Sequence, residues 1–107
     1  MNRLFASALL ALGLVAVLEN TSAAQQQVVA MGKRFTTAEV RIAAEDMVIF
    51  LNQDKVVHQV FSTTTGLRFN LKRLPPGAAS GVRFAKRGVA EVRCAIHRDM
   101  SMKVIVE

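Results

Sequence analysis

Residues 89–106 read VAEVRCAIHRDMSMKVIV, and both ends of this stretch alternate between apolar and polar side chains. A period of two residues is typical of a β-strand with one buried face, because successive side chains point to opposite sides of the sheet. We therefore predict two strands joined by a short loop, with the Cys94 thiol pointing inward. The side chains on the predicted buried face are Ala90, Val92, Cys94, Met102, Val104 and Val106.

The loop between these strands carries metal-binding side chains. Cys94, His97 and Met100 fall within seven residues, and the only other histidine of the chain is His58. A thiolate, two imidazoles and a weak, distant thioether form the donor set of a blue-copper electron-transfer site. A single site would use the one cysteine and both histidines of the chain.

Each of these residues also has a simpler interpretation. A lone cysteine is usually a small buried apolar residue, and a lone histidine is usually a satisfied polar or surface residue. Met102 is an alternative axial donor to Met100, although its place on the apolar face of the last strand favours core packing. The order and spacing of the donors favour a metal site over these separate interpretations.

The rest of the chain predicts short strands separated by turns. Residues 28–31 predict an edge strand, and a turn at 44–46 precedes the continuous apolar run 47–51, which predicts a central strand covered on both faces. Met31 and Met47 are expected in the core. Seven or eight such strands, with no amphipathic helix beyond the N-terminal segment, predict an all-β fold, a Greek-key β-sandwich.

The second histidine lies on another predicted strand. Residues 56–61 read VVHQVF, and His58 has the same parity as Val56 and Val60. Its side chain is therefore expected on their inward face, where it could meet the thiol.

The metal-binding residues belong to a longer pattern. That pattern is Asn52-x-Asp54-x-x-x-His58-x-Val60-Phe61-Ser62, Phe69, Pro76-Gly77, Phe84, Gly88 and Cys94-x-Ile96-His97-x-x-Met100. From about residue 35 to residue 107, the sequence resembles the plastocyanin-like cupredoxins, which are type-1 blue copper proteins. The short Cys-x-x-His-x-x-Met loop is similar to that of small periplasmic members of the amicyanin and methylamine-utilisation type.

The resemblance implies a cupredoxin-like sandwich that binds one type-1 copper ion through His58, Cys94, His97 and Met100. It implies an electron carrier, not an enzyme, that shuttles single electrons between redox partners. A copper-binding or copper-delivery protein with the same ligands is the alternative, and an exported sandwich that holds adventitious zinc is a third. Delivery proteins tend to carry further exposed Met or His clusters, and this sequence has none, which favours electron transfer.

Two amide side chains are candidates for orienting the imidazoles. Asn52 stands where the family often has an asparagine that helps to tie the histidine hairpin to the ligand loop. Gln59 replaces an asparagine that relatives often have directly after the first histidine ligand.

The N-terminal segment has the pattern of a secretory signal peptide. A positive start is followed by an uncharged apolar run over residues 4–18 and by small residues at 22–24. This run is shorter than the ~18 residues or more expected of a spanning helix. We predict a signal peptide over residues 1–24, a copper-binding domain over 25–107, a periplasmic location and no stable membrane span after cleavage.

The chain is basic, with a formal net charge of +6. A positive protein favours partners with an acidic surface, so we predict redox partners with an acidic docking surface and a monomeric carrier. Nucleic-acid binding is the alternative for such a charge. It is disfavoured because the basic residues are scattered doublets near turns, without a basic helix or an RNA-binding aromatic motif.

Overall fold

The computed structural model of the protein describes residues 24–107, so the predicted signal peptide lies outside the described residues apart from Ala24. This part contains eight strands, and within it no helix that could cross a membrane is found. The strands are β1 (Gln25–Ala30), β2 (Glu39–Ile42), β3 (Met47–Asn52), β4 (Val60–Ser62), β5 (Phe69–Asn70), β6 (Ala79–Arg83), β7 (Gly88–Cys94) and β8 (Ser101–Val106).

The strands form two sheets that pack face to face. One sheet has the order β1-β3-β6 and the other the order β2-β8-β7-β4-β5. A single apolar cluster contains Val28 and Phe50 from the first sheet with Val92 and Val104 from the second. The ring of Phe50 also stacks on that of Phe69, with centroids 5.8 Å apart. The predicted all-β sandwich is confirmed, because the core lies between two sheets.

Strand β3 is the central strand of the smaller sheet, between β1 and β6. Val48, Phe50 and Asn52 are buried on one face, whereas the alternate residues are half-buried. The central position is confirmed. The prediction that both faces are fully covered is wrong, because the described chain places no second layer outside this three-stranded sheet.

The alternation predicted for the last two strands is confirmed. Ala90, Val92, Cys94, Met102, Val104 and Val106 are all at most 3% exposed. The antiparallel ladder pairs Val92 with Met102 and ends with Arg93 opposite Ser101. This ladder brings Cys94 to the last position of β7, facing the core.

The strand that carries His58 is shorter than predicted, because β4 begins only at Val60. The backbone N–H of His58 donates to Leu74 (3.2 Å), and the N–H of Leu74 donates back to His58 (2.8 Å). The side chain of Asn52 donates to the carbonyls of Val56 and Leu74, at 2.9 Å each. His58 thus forms an isolated bridge with Leu74 in place of a continuous ladder, and it is fully buried as expected.

Met31 is not a core residue, contrary to the prediction, because 48% of it is exposed. Strand β1 ends at Ala30, and the chain turns at Gly32, whose φ is 65°. The backbone of Met31 closes this turn by exchanging hydrogen bonds with Arg34. Met47 is half-buried, on the outer face of β3.

Candidate metal centre

A thiol and two imidazoles meet at the end of β7. Sγ of Cys94 lies 3.7 Å from Nδ1 of His58 and 3.9 Å from Nδ1 of His97. One potential ligand atom from each residue lies within 4.8 Å of the others. Within residues 24–107, this is the group of His, Cys, Asp or Glu side chains that could hold a metal ion.

The separations fit one metal ion. Metal–sulfur and metal–nitrogen bonds of about 2.3 Å and about 2.0 Å, as zinc forms, keep two donors on one ion within about 4.3 Å. Both sulfur–nitrogen distances are below this limit. A thiolate with two imidazoles, one thioether nearby in the loop, is the donor set of a type-1 copper site.

The ring of His58 is held at its other nitrogen by a carboxylate. Nε2 of His58 lies 2.8 Å from Oδ2 of Asp54. An ionised carboxylate only accepts hydrogen bonds, so Nε2 donates and Nδ1 keeps its lone pair, which faces Cys94. The pair therefore selects the tautomer that a metal ion needs.

The carboxylate of Asp54 is itself fixed by the turn after β1. It accepts the backbone N–H of Lys33 at 2.8 Å and that of Gly32 at 3.0 Å. The bond from Lys33 and the bond to His58 lower the pKa of Asp54 from 3.8 to about 2, against the opposing effect of burial. Asp54 is thus ionised at neutral pH, and it links the turn to the imidazole.

The sulfur of Cys94 also has a backbone partner. The N–H of Gln59 lies 3.4 Å from Sγ, and the N–H of Ala95 donates to the carbonyl of Gln59 at 2.9 Å. The N–H of Gln59 thus gives the sulfur a fixed hydrogen-bond partner beside the imidazoles. Cys94 is 2% exposed and is the free cysteine of the chain.

The loop after β7 carries His97 and Met100, the remaining predicted donors. The N–H of Met100 donates to the carbonyl of His97 at 3.0 Å, which closes a turn. The His97 ring is partly exposed and lies 4.9 Å from the His58 ring, centroid to centroid. Met100 is 2% exposed and directly precedes Ser101, which pairs with Arg93, the neighbour of Cys94.

The two amides predicted to orient the imidazoles make their side-chain hydrogen bonds with other groups. Asn52 is fully buried, donates to Val56 and Leu74, and accepts the N–H of Asp54 at 2.8 Å. It braces the histidine hairpin, with no bond to the loop at residues 95–100. The side chain of Gln59 donates to Asn70, so its contribution to the centre is made by its backbone. Sequence reasoning missed the role of Asp54, although Asp54 stands four residues before His58 in the pattern.

The two-sheet sandwich is similar to the solved structures of several copper proteins. No family model matches the chain, and no curated protein matches it. Among solved structures, a purple cupredoxin from Nitrosopumilus maritimus matches with a TM-score of 0.69 and 21% identity, over 77% of this chain and 99% of that one. The reduced Cu(I) form of an amicyanin mutant matches with a TM-score of 0.70 and 21% identity, over 86% and 88%.

A third match is part of a larger protein. The copper-containing nitrite reductase from Thermus scotoductus SA-01 has a TM-score of 0.71 and 22% identity, over 84% of this chain but 23% of its own. Identities at this level establish a shared fold. The chain therefore has the cupredoxin fold, and its His58, Cys94 and His97 form a ligand group of the type-1 kind.

Proposed function

We propose that this protein is a type-1 copper protein that carries single electrons between redox partners. The observation that carries the proposal is the convergence of Cys94 Sγ with Nδ1 of His58 and Nδ1 of His97. Bound copper supplies a one-electron couple, and a thiolate with two imidazoles is acceptable to both of its oxidation states.

The surroundings of the ligands favour electron transfer because they limit rearrangement. His58 is fixed by its backbone bonds to Leu74 and by Asp54, and Cys94 is fixed by its place at the end of a ladder and by the N–H of Gln59. His97 is the partly exposed ligand, so it gives the buried centre an edge toward solvent. A partner could exchange electrons there without entering the site.

We assign Met100, and not Met102, as the axial ligand. In the β7–β8 ladder Met102 lies opposite Val92, two positions back along the strand from Cys94. Two positions correspond to about 6.6 Å along a strand, so Met102 packs in the core away from the sulfur. Met100 belongs to the same tight turn as His97, and it is as deeply buried as Met102.

The proposed carrier has no substrate turnover of its own. His58, Cys94, His97 and Met100 together would leave a bound ion without the open position that catalytic metal sites keep. We further propose that the chain acts as a periplasmic monomer after loss of residues 1–24, and that its partners present acidic surfaces to its net positive charge.

Copper delivery with the same ligands is the competing function. Delivery requires that the ion leaves readily, whereas here the thiol and one imidazole are buried. No second group of His and Cys donors is found in residues 24–107 that could receive or pass on the ion. These two observations favour the electron carrier.

The visible spectrum of the Cu(II)-loaded protein tests the proposal. We expect intense thiolate-to-copper absorption that Cys94→Ala abolishes and Met102→Leu retains. Absence of this absorption in the unchanged protein, or its persistence in Cys94→Ala, would refute the proposal. Fast copper loss to a chelator without measurable electron self-exchange would instead establish delivery.

A further inference from the structure

A groove lies on the outer side of the sheet, beside the metal centre. It has a volume of about 380 Å³ and is lined by Phe61, Thr63, Arg93, Cys94, Ala95 and Arg98. The arginines come from both sides of Cys94, one from the end of β7 and one from the ligand loop. The groove thus adjoins a proposed metal ligand without including either histidine.

The groove is positively charged and its arginines are free to bind. Arg93 and Arg98 are exposed, and no ion pair within the described residues 24–107 involves either of them. No acidic residue lines the groove. Asp99, although adjacent in sequence, lines a different groove, together with Lys33 and Arg34.

Strand parity connects this groove directly to the proposed copper ligand. Along β7 the side chain of Arg93 points outward and that of Cys94 points into the core. Phe61 is the cross-strand neighbour of Arg93 and is half-buried, so it forms an apolar wall next to the guanidinium. A molecule in the groove would be separated from the thiolate by the backbone of one residue.

We propose that this groove is the docking site for a carboxylate-bearing surface of the protein's redox partner. The proposal rests on the electron-carrier function proposed above and names the surface that function uses. Guanidinium groups bind carboxylates through two parallel hydrogen bonds, which fixes orientation as well as position. A partner held there would lie next to Cys94, so that electrons could reach the metal through the covalent bonds of Cys94 as well as through the exposed edge of His97.

Other positive surfaces fit this role less well. The groove at residues 33–38 contains Asp99, which competes for the cations. A smaller cavity of about 130 Å³ contains Arg68 and Arg83. Its lining also includes Phe84 and Ala85, which come shortly before the start of β7 in the sequence. The start of this seven-residue strand is about 20 Å from Cys94, so that cavity serves as a matched control.

The test maps binding of an oligoglutamate peptide to the ¹⁵N-labelled, Cu(I)-loaded protein at low salt. We expect the Nε–H signals of Arg93 and Arg98 and the backbone signals of Thr63 and Ala95 to shift. An uncharged glycine–serine peptide of the same length should cause no shift. Shifts centred on Ile96 and His97, on Arg68 and Arg83, or spread over all basic residues would overturn the proposal.

Charge reversal supplies the second arm. R93E/R98E and R68E/R83E change the net charge equally, but only the first should weaken peptide binding, by at least about tenfold. Equal weakening by both variants would leave only net charge as the cause and would overturn the proposal. If R93E/R98E loses the dispersed spectrum of a folded protein, R93Q/R98Q replaces it, with the same expected localisation.

The two proposals fail separately. Peptide binding does not depend on the colour of the Cu(II) form, so an uncoloured protein that still binds at Arg93 and Arg98 refutes the copper carrier and the redox role of the partner, but not the carboxylate-binding groove. A coloured protein whose peptide site lies elsewhere refutes the docking site alone.

Discussion

Nε2 of His58 lies 2.8 Å from Oδ2 of Asp54, and the same carboxylate accepts the backbone N–H groups of Gly32 and Lys33. The imidazole is therefore fixed by a residue of its own hairpin and, through it, by the turn that follows β1. Carboxylate partners of ligating histidines raise ligand basicity and fix the ring. Asp54 is in this sense a positioning residue, since it acts on the metal centre through His58.

Replacing this carboxylate by an amide tests that role. Asp54→Asn should weaken copper binding by about 10–100-fold, because the imidazole loses its charged partner. It should also raise the reduction potential, since a negative charge near the site favours the more highly charged Cu(II). Competition with a chelator and redox titration measure the two effects. Glu91→Gln, on an exposed face of β7, is the control and should change neither.

Acid should destabilise the metal-free protein through Asp54. Its pKa is about 2 in the folded protein and 3.8 as the ordinary value, so its contribution is present above about pH 4 and is lost as the pH falls towards 2. Denaturant unfolding between pH 5 and pH 2 measures this loss. Asp54→Asn should lose less stability over this interval, and an equal loss in both proteins would contradict the assignment.

The two methionines of the C-terminal region should respond differently to leucine. Met100→Leu should keep the blue colour and raise the reduction potential, because the more highly charged Cu(II) loses an electron-donating ligand and the site becomes more apolar. Met102→Leu exchanges core residues of similar volume and should cost less than about 1.5 kcal/mol without changing the potential. Spectra, redox titration and unfolding measure these outcomes. A changed potential in Met102→Leu alone would reverse the assignment.

The turn before β3 contains a strained residue. Glu45 has φ of 81°, which side chains with a Cβ disfavour, and it is exposed. Glu45→Gly should raise the free energy of unfolding by about 0.5–1 kcal/mol, since relief of ~1–2 kcal/mol of strain exceeds the added chain entropy of glycine. Glu45→Ala keeps the Cβ and should give no gain. Thermal or denaturant unfolding distinguishes the two variants.

Much of the fold could be predicted because strand faces are a local property. The parity of Ala90, Val92 and Cys94 is sufficient to place the thiol inward, and the same argument places His58. The turn at residues 44–46 and the central position of β3 also follow from local composition. The start of β4 could not be predicted, because it depends on bonds from His58 and Asn52 to Leu74.

The sequence by itself determined which potential ligands the chain offers, their order, and the inward direction of the Cys94 and His58 side chains. Only the tertiary structure decided what surrounds them. Asp54 acquires its role because the amides of Gly32 and Lys33, more than twenty residues away, are brought to it. The groove lined by Arg93 and Arg98 forms because β4 pairs with β7 and places Phe61 opposite Arg93. Side-chain parity repeats every two residues, whereas these contacts depend on how distant segments pack.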